Sequence, residues 1–445
     1  MAGISNIGAE AQKVNSVKTE KEAFFCTTKE LSRLGLEQIP TQFQSHKHLI
    51  YSSPATLAFN SPGAEGFGVK RAGLAVPDSI MLIVAPGCCG RNTSLISSMK
   101  EYNDRFYYLM MDETDIVTGR HLKKIPKAVE EICSVCPKKP SVVMICITCV
   151  DALLGTDMER VCKKAEEQVE IPVRPCYMYA LTREGRKPPM VHVRQSLYSL
   201  LEPGKKKGNV VNLLGFFSPL VDDCEIYDLL HSAGVKTIHE ISRCKDYKEY
   251  QTMSEANFNL VLHHEARFAA EDFHNRLQIP FIELRRLYQI DKIENQYHAL
   301  GNALGVAFYD EKYKKQAEDA LEKFRKKCPD ASFAIGECLN ADPFELSLAL
   351  IRYGFSVPEI YGTITVENFT YIRSLAKISP ETKVFSNMEP TMIYYDPAKS
   401  GVNLAIGKDA CYYHPDCPYV MWNGEEQPYG YAGVRRLFEQ LLEVV

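Results

Sequence analysis

Ser79-Ile80-Met81-Leu82-Ile83-Val84-Ala85-Pro86-Gly87-Cys88-Cys89-Gly90-Arg91 is the stretch that decides the fold. From Ile80 to Ala85 every side chain is apolar, which predicts a strand buried on both faces. Pro86-Gly87 ends it, and two thiols follow in a turn rich in glycine. Downstream, residues 120–136 carry Leu122, Ile125, Val129, Ile132 and Cys136 at helical spacing, and Pro137 stops the helix. Residues 141–147 form a second continuous apolar run. Thr156 with Glu159 fits a capping box for a helix through Gln168. Residues 173–178 read as a further strand. Strands alternating with helices imply a parallel sheet covered on both faces.

The same pattern recurs twice. Pro203-Gly204-Lys205-Lys206-Lys207-Gly208 reads as a linker. Beyond it, strands are expected at 209–216, 236–241, 257–263 and 279–283. One helix should end near Gly234, another should cover 265–277, and two more fall within 289–328. A third unit follows, with strands at 332–338, 357–361, 383–386 and 402–406. Its helices are expected at 343–353, closed by Gly354, and at 366–378. An amphipathic helix at 433–444 ends the chain. The fold class is therefore α/β, with three doubly wound, Rossmann-like parallel-sheet domains. The expected boundaries are an irregular extension at 1–70, a first domain at 71–204, a second at 205–310 and a third at 311–423. The segment 424–445 is expected to return to the first domain. In sheets of this kind ligands sit beyond the carboxyl ends of the strands.

Composition narrows the function. The chain has 445 residues, 45% hydrophobic and 24% charged, which excludes a disordered chain. With 52 Lys plus Arg against 56 Asp plus Glu, the net charge is −4, and no basic excess marks a nucleic-acid binder. No apolar run reaches the ~20 residues of a membrane helix, and the N-terminal stretch lacks the apolar core of a signal peptide. A cytoplasmic, reducing setting is expected. Walker, GxGxxG, HExxH and GxSxG motifs are all missing, so any electron or energy source should be another molecule.

Fifteen cysteines then need explaining. A zinc ribbon from Cys133, Cys136, Cys146 and Cys149 is set aside. Only nine residues separate the pairs, and Cys133, Cys136 and Cys146 fall in a helix end and a strand, where core packing is the expected role. Cys149 differs. It ends its strand, in Ile147-Thr148-Cys149-Val150-Asp151-Ala152-Leu153-Leu154-Gly155-Thr156-Asp157, just as Cys88 and Cys89 end theirs. Two strands of one domain thus bring thiols to the same sheet edge, and soft thiolates favour iron–sulfur clusters, zinc or copper(I).

Three stretches together resemble the nitrogenase component 1-type oxidoreductase superfamily. Pro86-Gly87-Cys88-Cys89-Gly90 is similar to its glycine-rich loop with a cluster-ligating cysteine. Thr148-Cys149 followed by Leu154-Gly155-Thr156-Asp157 is similar to its second ligand loop. Phe258-Asn259-Leu260-Val261-Leu262-His263 resembles the strand leading to its large-cofactor site, and Pro428-Tyr429-Gly430-Tyr431-Ala432-Gly433 also fits. The resemblance runs from about residue 75 to the end. It implies three α/β domains around a central cleft, with Cys89 and Cys149 as iron–sulfur ligands and Cys88 as the alternative to Cys89.

Two departures separate the chain from a true nitrogenase subunit. No cysteine stands in Phe59-Asn60-Ser61-Pro62-Gly63-Ala64-Glu65, where the family places a third ligand, and Cys26 is the only upstream thiol. Two ligands per chain imply one [4Fe-4S] cluster shared between two chains of a homodimer or of a heterodimer with a related chain. At the family's cofactor cysteine stands His263, and Met421 lies near the expected C-terminal histidine, so an iron–molybdenum cofactor is not expected. His263, His264 and Glu265 become the cleft candidates, His263 for metal or substrate binding and His264 or Glu265 for proton supply.

Other groups are read as structural. His192 and Arg194 are expected on a solvated helix face. Cys411, His414 and Cys417 form a C-x2-H-x2-C pattern read as loop structure. Tyr394, Tyr395, Tyr412 and Tyr413 are read as core or interface rather than a wall for an aromatic ligand. The expected function is an oxygen-sensitive, nitrogenase-like iron–sulfur reductase subunit. Its electron donor would be a P-loop, ATP-dependent iron–sulfur reductase, and its substrate, such as a tetrapyrrole or an organosulfur compound, would sit in the cleft. The alternatives are a scaffold or carrier for metal-cofactor assembly, and a metal-free small-molecule binder.

Overall fold

The computed structural model describes residues 22–44, 68–87, 102–148, 150, 154–177 and 187–445. Cys88, Cys89 and Cys149 lie outside the described residues. Strands are numbered along the chain from Phe25–Thr27 (β1).

The first unit holds Ile80–Ala85 (β2), Phe106–Met110 (β3), Val143–Ile147 (β4) and Val173–Tyr177 (β5) in the order β3-β2-β4-β5, all parallel. Every residue of β2 and of β4 is buried, as their unbroken apolar runs require. β3 was not expected. Its residues are half-buried or exposed because it forms the sheet edge, so it lacks the continuous apolar signal of its neighbours. The helix Met158–Val169 starts one residue later than expected: Asp157, not Thr156, is the cap, accepting the Arg160 N–H at 3.1 Å.

In the second unit Val210–Leu214 (β6), Thr237–His239 (β7), Phe258–Val261 (β8) and Phe281–Glu283 (β9) pair in the order β7-β6-β8-β9, again all parallel. The third sheet combines Ser332–Ile335 (β10), Ser356–Tyr361 (β11), Lys383–Phe385 (β12), Leu404–Ile406 (β13) and Tyr419–Val420 (β14) with β1, in the order β1-β12-β11-β10-β13-β14. β1 runs antiparallel to β12, with Cys26 opposite Val384. The expected irregular extension is therefore structured over 22–44. Thr27 and Glu30 make a reciprocal capping box that starts the helix Thr28–Leu34 beside the new edge strand. Cys26 belongs to the third sheet, not to the unit with the thiol loops.

The final helix, Gly430–Val444, also departs from expectation. It packs on the helix Glu311–Lys327 and joins the core of the second and third units through Val434, Leu437, Phe438 and Leu441, rather than returning to the first unit. A buried carboxylate fixes it there. Glu225 accepts the N–H groups of Tyr431 at 2.6 Å and Ala432 at 3.0 Å, and the Tyr297 hydroxyl at 2.6 Å. These are amides of the first helical turn, which have no partner within the helix and favour an anion. Gly430 (φ +57°) is needed because a Cβ there would meet the Glu225 carboxylate. Glu225→Ala would strand three buried donors, at a cost of about 3 kcal/mol or more. The check is a urea midpoint that falls while the slope stays unchanged; an unaltered midpoint would contradict this anchoring role.

Candidate functional site

The second and third sheets point their carboxyl edges at a common cavity of ≈ 520 Å³. It is walled by the segments that leave β6, β8 and β9 on one side and β10 and β11 on the other, with Met190 and Arg194 of the helix Pro189–Tyr198 closing one end. A cavity of this volume suits a small-molecule ligand.

His263, His264 and Glu265 all line it. The chain turns sharply after β8 into a single helical turn, His264–Ala266, and then into the helix Arg267–Leu277. His263 caps that turn: its Nδ1 accepts the Glu265 N–H at 3.3 Å. A neutral imidazole accepting at Nδ1 carries its proton on Nε2. The ring packs edge-on to Phe216, with centroids 5.7 Å apart, and stacks on His264 at 4.5 Å. Its side chain keeps 34% of its surface, on the cleft. Burial, then Arg194, His264 and Arg286, hold its pKa well below the usual histidine value. With Nδ1 taken up by the Glu265 N–H, Nε2 is the ring's donor.

Glu265 is tied down by Arg194. Arg194 Nη1 donates to its Oε2 at 2.7 Å. Arg194 also donates from Nε and Nη2 to the Gly215 carbonyl, at 3.1 and 2.6 Å, and from Nη1 to the Met190 carbonyl at 2.9 Å. The expectation of a solvated face fails here: Arg194 is only 5% exposed. Its helix buries Val191, Val193, Leu197 and Tyr198, residues on more than one face, so it has no wet side for a charge at 194. His192 is half-buried, its ring 4.8 Å from that of Tyr177. Gly215 (φ +144°) lets β6 end against β8, since a Cβ there would lie 2.8 Å from the His263 nitrogen.

Sequence reasoning missed two further lining groups. Burial holds the Glu337 carboxyl above the ordinary range, and the nearby Asp409 carboxylate pushes the same way. Glu337 accepts the Thr363 N–H at 2.8 Å, while Asp409 accepts the backbone N–H groups of Glu337 at 2.8 Å and Cys338 at 2.9 Å. A carboxyl so placed can hold a proton at the cleft wall. Arg286 is the other. Its guanidinium lies 4.4 Å from the centre of the Phe216 ring, and its Nη2 donates to Gln427 Oε1 at 2.6 Å. Nothing in the local pattern Leu284-Arg285-Arg286-Leu287 separates this arginine from a surface one.

The thiol loops start elsewhere, but close to one another. β2 and β4 are hydrogen-bonded neighbours with Val84 opposite Ile147, so the chain leaves both strands at one level on its way to Cys88–Cys89 and to Cys149. Thr148, 1% exposed, has a buried hydroxyl with no partner among the described residues. A polar group beside it at that loop would satisfy the hydroxyl, which fits a cluster held by soft thiolates there. Cys146 and Cys176 are buried, facing register partners of β4 and β5, and Cys133 and Cys136 pack at the edge of the first core. His414 Nε2 lies in the third unit within 3.3 Å of Glu359 Oε2, with Tyr361 and Tyr395 around it, and the Cys417 thiol donates to the Val402 carbonyl. Tyr395 and Tyr413 belong to that aromatic core, while Tyr394 and Tyr412 are partly exposed. Among the described residues no three His, Cys, Asp or Glu side chains converge as a metal site, and no helix is long and apolar enough to cross a membrane.

Residues 65–445 match the family model for nitrogenase component 1 type oxidoreductases. Curated relatives are nitrogenase iron-molybdenum cofactor biosynthesis proteins NifE. That of Nostoc sp. is 25% identical over 284 residues, 61% of this chain and 58% of its own length. That of Clostridium pasteurianum is 24% identical, covering 56% and 55%. That of Sinorhizobium fredii is 25% identical over 418 residues, 88% and 82%. The chain thus spans little more than half the length of the first two. A solved nitrogenase Cp1 at pH 6.5 superposes with a TM-score of 0.70 at 18% identity, covering 92% of this chain and 96% of that one. Nitrogenase Cp1 at pH 5 gives 0.60 at 16% identity, covering 84% and 87%. The likeness to these structures is one of fold.

With its pKa lowered, His263 should stay neutral on acidification to about pH 6, half a unit below the ordinary histidine value. Nitrogen-15 histidine spectra of the full chain should then show one ring with an unprotonated Nδ1 and a protonated Nε2, assigned by its loss in His263→Gln. An imidazolium at that pH would refute the assignment. The same lowering means the fold loses stability as pH drops below about 6.5, because the unfolded chain takes up a proton that the folded site resists.

Proposed function

Because the chain belongs to the nitrogenase component 1 type oxidoreductase family, we propose that it is a nitrogenase-like iron–sulfur reductase subunit acting on a small molecule held in the interdomain cleft. The observation that carries this reading is the character of the cleft wall. It offers a neutral imidazole, guanidinium groups and a carboxyl raised by burial, which are groups that orient an organic ligand and deliver protons.

Cys149, with Cys89 or Cys88, would hold the cluster, which when bound supplies low-potential electrons one at a time. Two thiolates per chain suit a [4Fe-4S] cluster shared across a dimer, homomeric or with a related chain. The donor would be a P-loop, ATP-dependent iron–sulfur reductase. In the cleft, His263 donates from Nε2 to the bound molecule. Glu337 would supply a proton from the cleft wall, and His264, stacked on His263, is the second candidate for proton supply. Glu265, engaged by Arg194, keeps the His263 turn in place. The second reading, a scaffold on which a metal cofactor is built, is favoured by the names of the NifE relatives. The two differ in the fate of the cluster, which a reductase retains and a scaffold hands to an acceptor.

Anaerobic purification with iron and sulfide analysis tests the proposal. Wild type should carry about two irons per chain, half of a four-iron cluster. Cys149→Ala should lose most of this iron and weaken the dimer, and so should either Cys89→Ala or Cys88→Ala. Retention of full iron content in Cys149→Ala, or in the double variant of Cys88 and Cys89, would sink the ligand assignment. Rapid transfer of the cluster to an apo-acceptor would select the scaffold reading.

A further inference from the structure

Two of the four arginines that line the cleft have opposite circumstances. Arg194 has its donors and its charge matched by Gly215, Met190 and Glu265. Arg286 does not. Of the five N–H donors of a guanidinium, one is used, by Gln427. Its Nε is buried with no partner, and among the described residues no carboxylate comes within ion-pair distance. Burial lowers its pKa from the ordinary arginine value, and only the phenols of Tyr288 and Tyr429 act the other way. Arg286 is half-buried, its Nε shut away from water, and a cation so placed without a counter-charge is costly to keep in a fold.

The missing partner is an anion, and the surroundings say which kind. The helix Pro343–Arg352 starts at the cavity, but its first amides are already taken: Asp342 accepts the N–H groups of Phe344 at 2.9 Å and Glu345 at 3.0 Å. The amide cradle that would receive a phosphate is thus filled by a side chain of the protein itself. Of the other two arginines at the rim, Arg267 is closed off by a two-pronged pair with Glu283, both contacts 2.6 Å, and Arg285 is exposed with its side chain at Tyr371. Around the apolar wall of Phe216, Leu284, Leu339 and Tyr371, the cavity then offers the unpaired fork of Arg286 and the Nε2–H of His263. A fork matches a planar oxyanion with two oxygens.

Resting on the reductase reading above, we propose that the ligand of the cleft is an organic carboxylate, its carboxyl group received by Arg286 and its carbon framework laid against Phe216. His263 donates to a second polar atom of the same molecule.

Calorimetric titration of the full chain, purified anaerobically, with benzoate, succinate and inorganic phosphate at constant ionic strength tests this. Wild type should bind at least one of the two carboxylates saturably and bind phosphate more weakly. Arg286→Gln should weaken carboxylate binding ~10- to 100-fold, the loss of a charged hydrogen bond. Arg286→Lys, which keeps the charge but not the fork, should fall between. Without added anion, Arg286→Gln should melt at or above the wild-type temperature, because it removes an unmatched charge. Equal binding by Arg286→Gln, no saturable binding of either carboxylate by wild type, a preference for phosphate, or a lower melting temperature for the variant would each overturn the proposal. Cys149→Ala separates it from the cluster assignment. That variant should lose iron yet bind carboxylate as wild type does. Iron without carboxylate binding defeats this proposal alone, and carboxylate binding without iron in wild type defeats the cluster.

Discussion

A guanidinium taken out of water needs its donors and its charge matched by the fold, and Arg194 has four of its five N–H groups and its charge engaged where the units join. It sits on the helix Pro189–Tyr198, holds the carbonyl that ends β6 and grips the carboxylate of the turn after β8. Three pieces of chain are thereby fixed to one planar group. The consequences run outward. With Glu265 held, the backbone N–H of residue 265 is aimed at His263, and this sets the tautomer of that ring. With Gly215 held, Phe216 is placed between His263 and Arg286. Breaking a buried pair of this kind costs about 3–5 kcal/mol in stability, because the partner left behind keeps its charge. The chemistry of the cleft therefore rests on a contact that itself never needs to touch a ligand.

Most of the scaffold was legible because its signals are local. β2 and β4 are continuous apolar runs, and a strand buried on both faces can hardly be written otherwise. The helices Pro343–Arg352 and Ile290–Leu304 carry their own stop signals. What escaped was edge structure. β3 alternates between half-buried and exposed residues, and β1 has three residues whose only reason to be extended is the partner strand Lys383–Phe385 far along the chain. The final helix has an apolar face that many partners would satisfy. Its actual position depends on Glu225, more than 200 residues away, meeting its first amides.

The candidate site divides along the same line. His263, His264 and Glu265 were visible because the family resemblance sets His263 at the position of its cofactor cysteine, where a strand ends and a helix begins. Arg194, Arg286 and Glu337 were not, because their meaning lies in partners brought close by the fold. Arg194 and Glu265 are 71 positions apart, and Glu337 and Asp409 are 72. A lone arginine in sequence carries no mark of whether its charge will be matched.

That contrast gains force from how firmly the cleft is built. Tyr288, fully buried, is held from several sides. Its backbone N–H reaches the Glu345 carboxyl at 2.9 Å, its carbonyl accepts the Tyr353 hydroxyl at 2.6 Å, its own hydroxyl donates to the Asn340 carbonyl at 2.8 Å, and Trp422 donates to that hydroxyl at 2.6 Å. These contacts lock the segment after β9 to the third unit, two residues from Arg286. Burial holds the Glu345 carboxyl up at about 7, and the protein tolerates this strain on an acid in order to join the two units. A loosely held arginine would swing out and hydrate the Nε that Arg286 keeps buried. Arg286 is denied that escape by the rigidity of its neighbours and by the face of Phe216. Rigid support around an unmatched charge lowers the ordering cost of binding, since the receptor is already in place before the ligand arrives. The instability is local and the scaffold that tolerates it is extensive, and the structure concentrates that imbalance at the cavity shared by its two sheets.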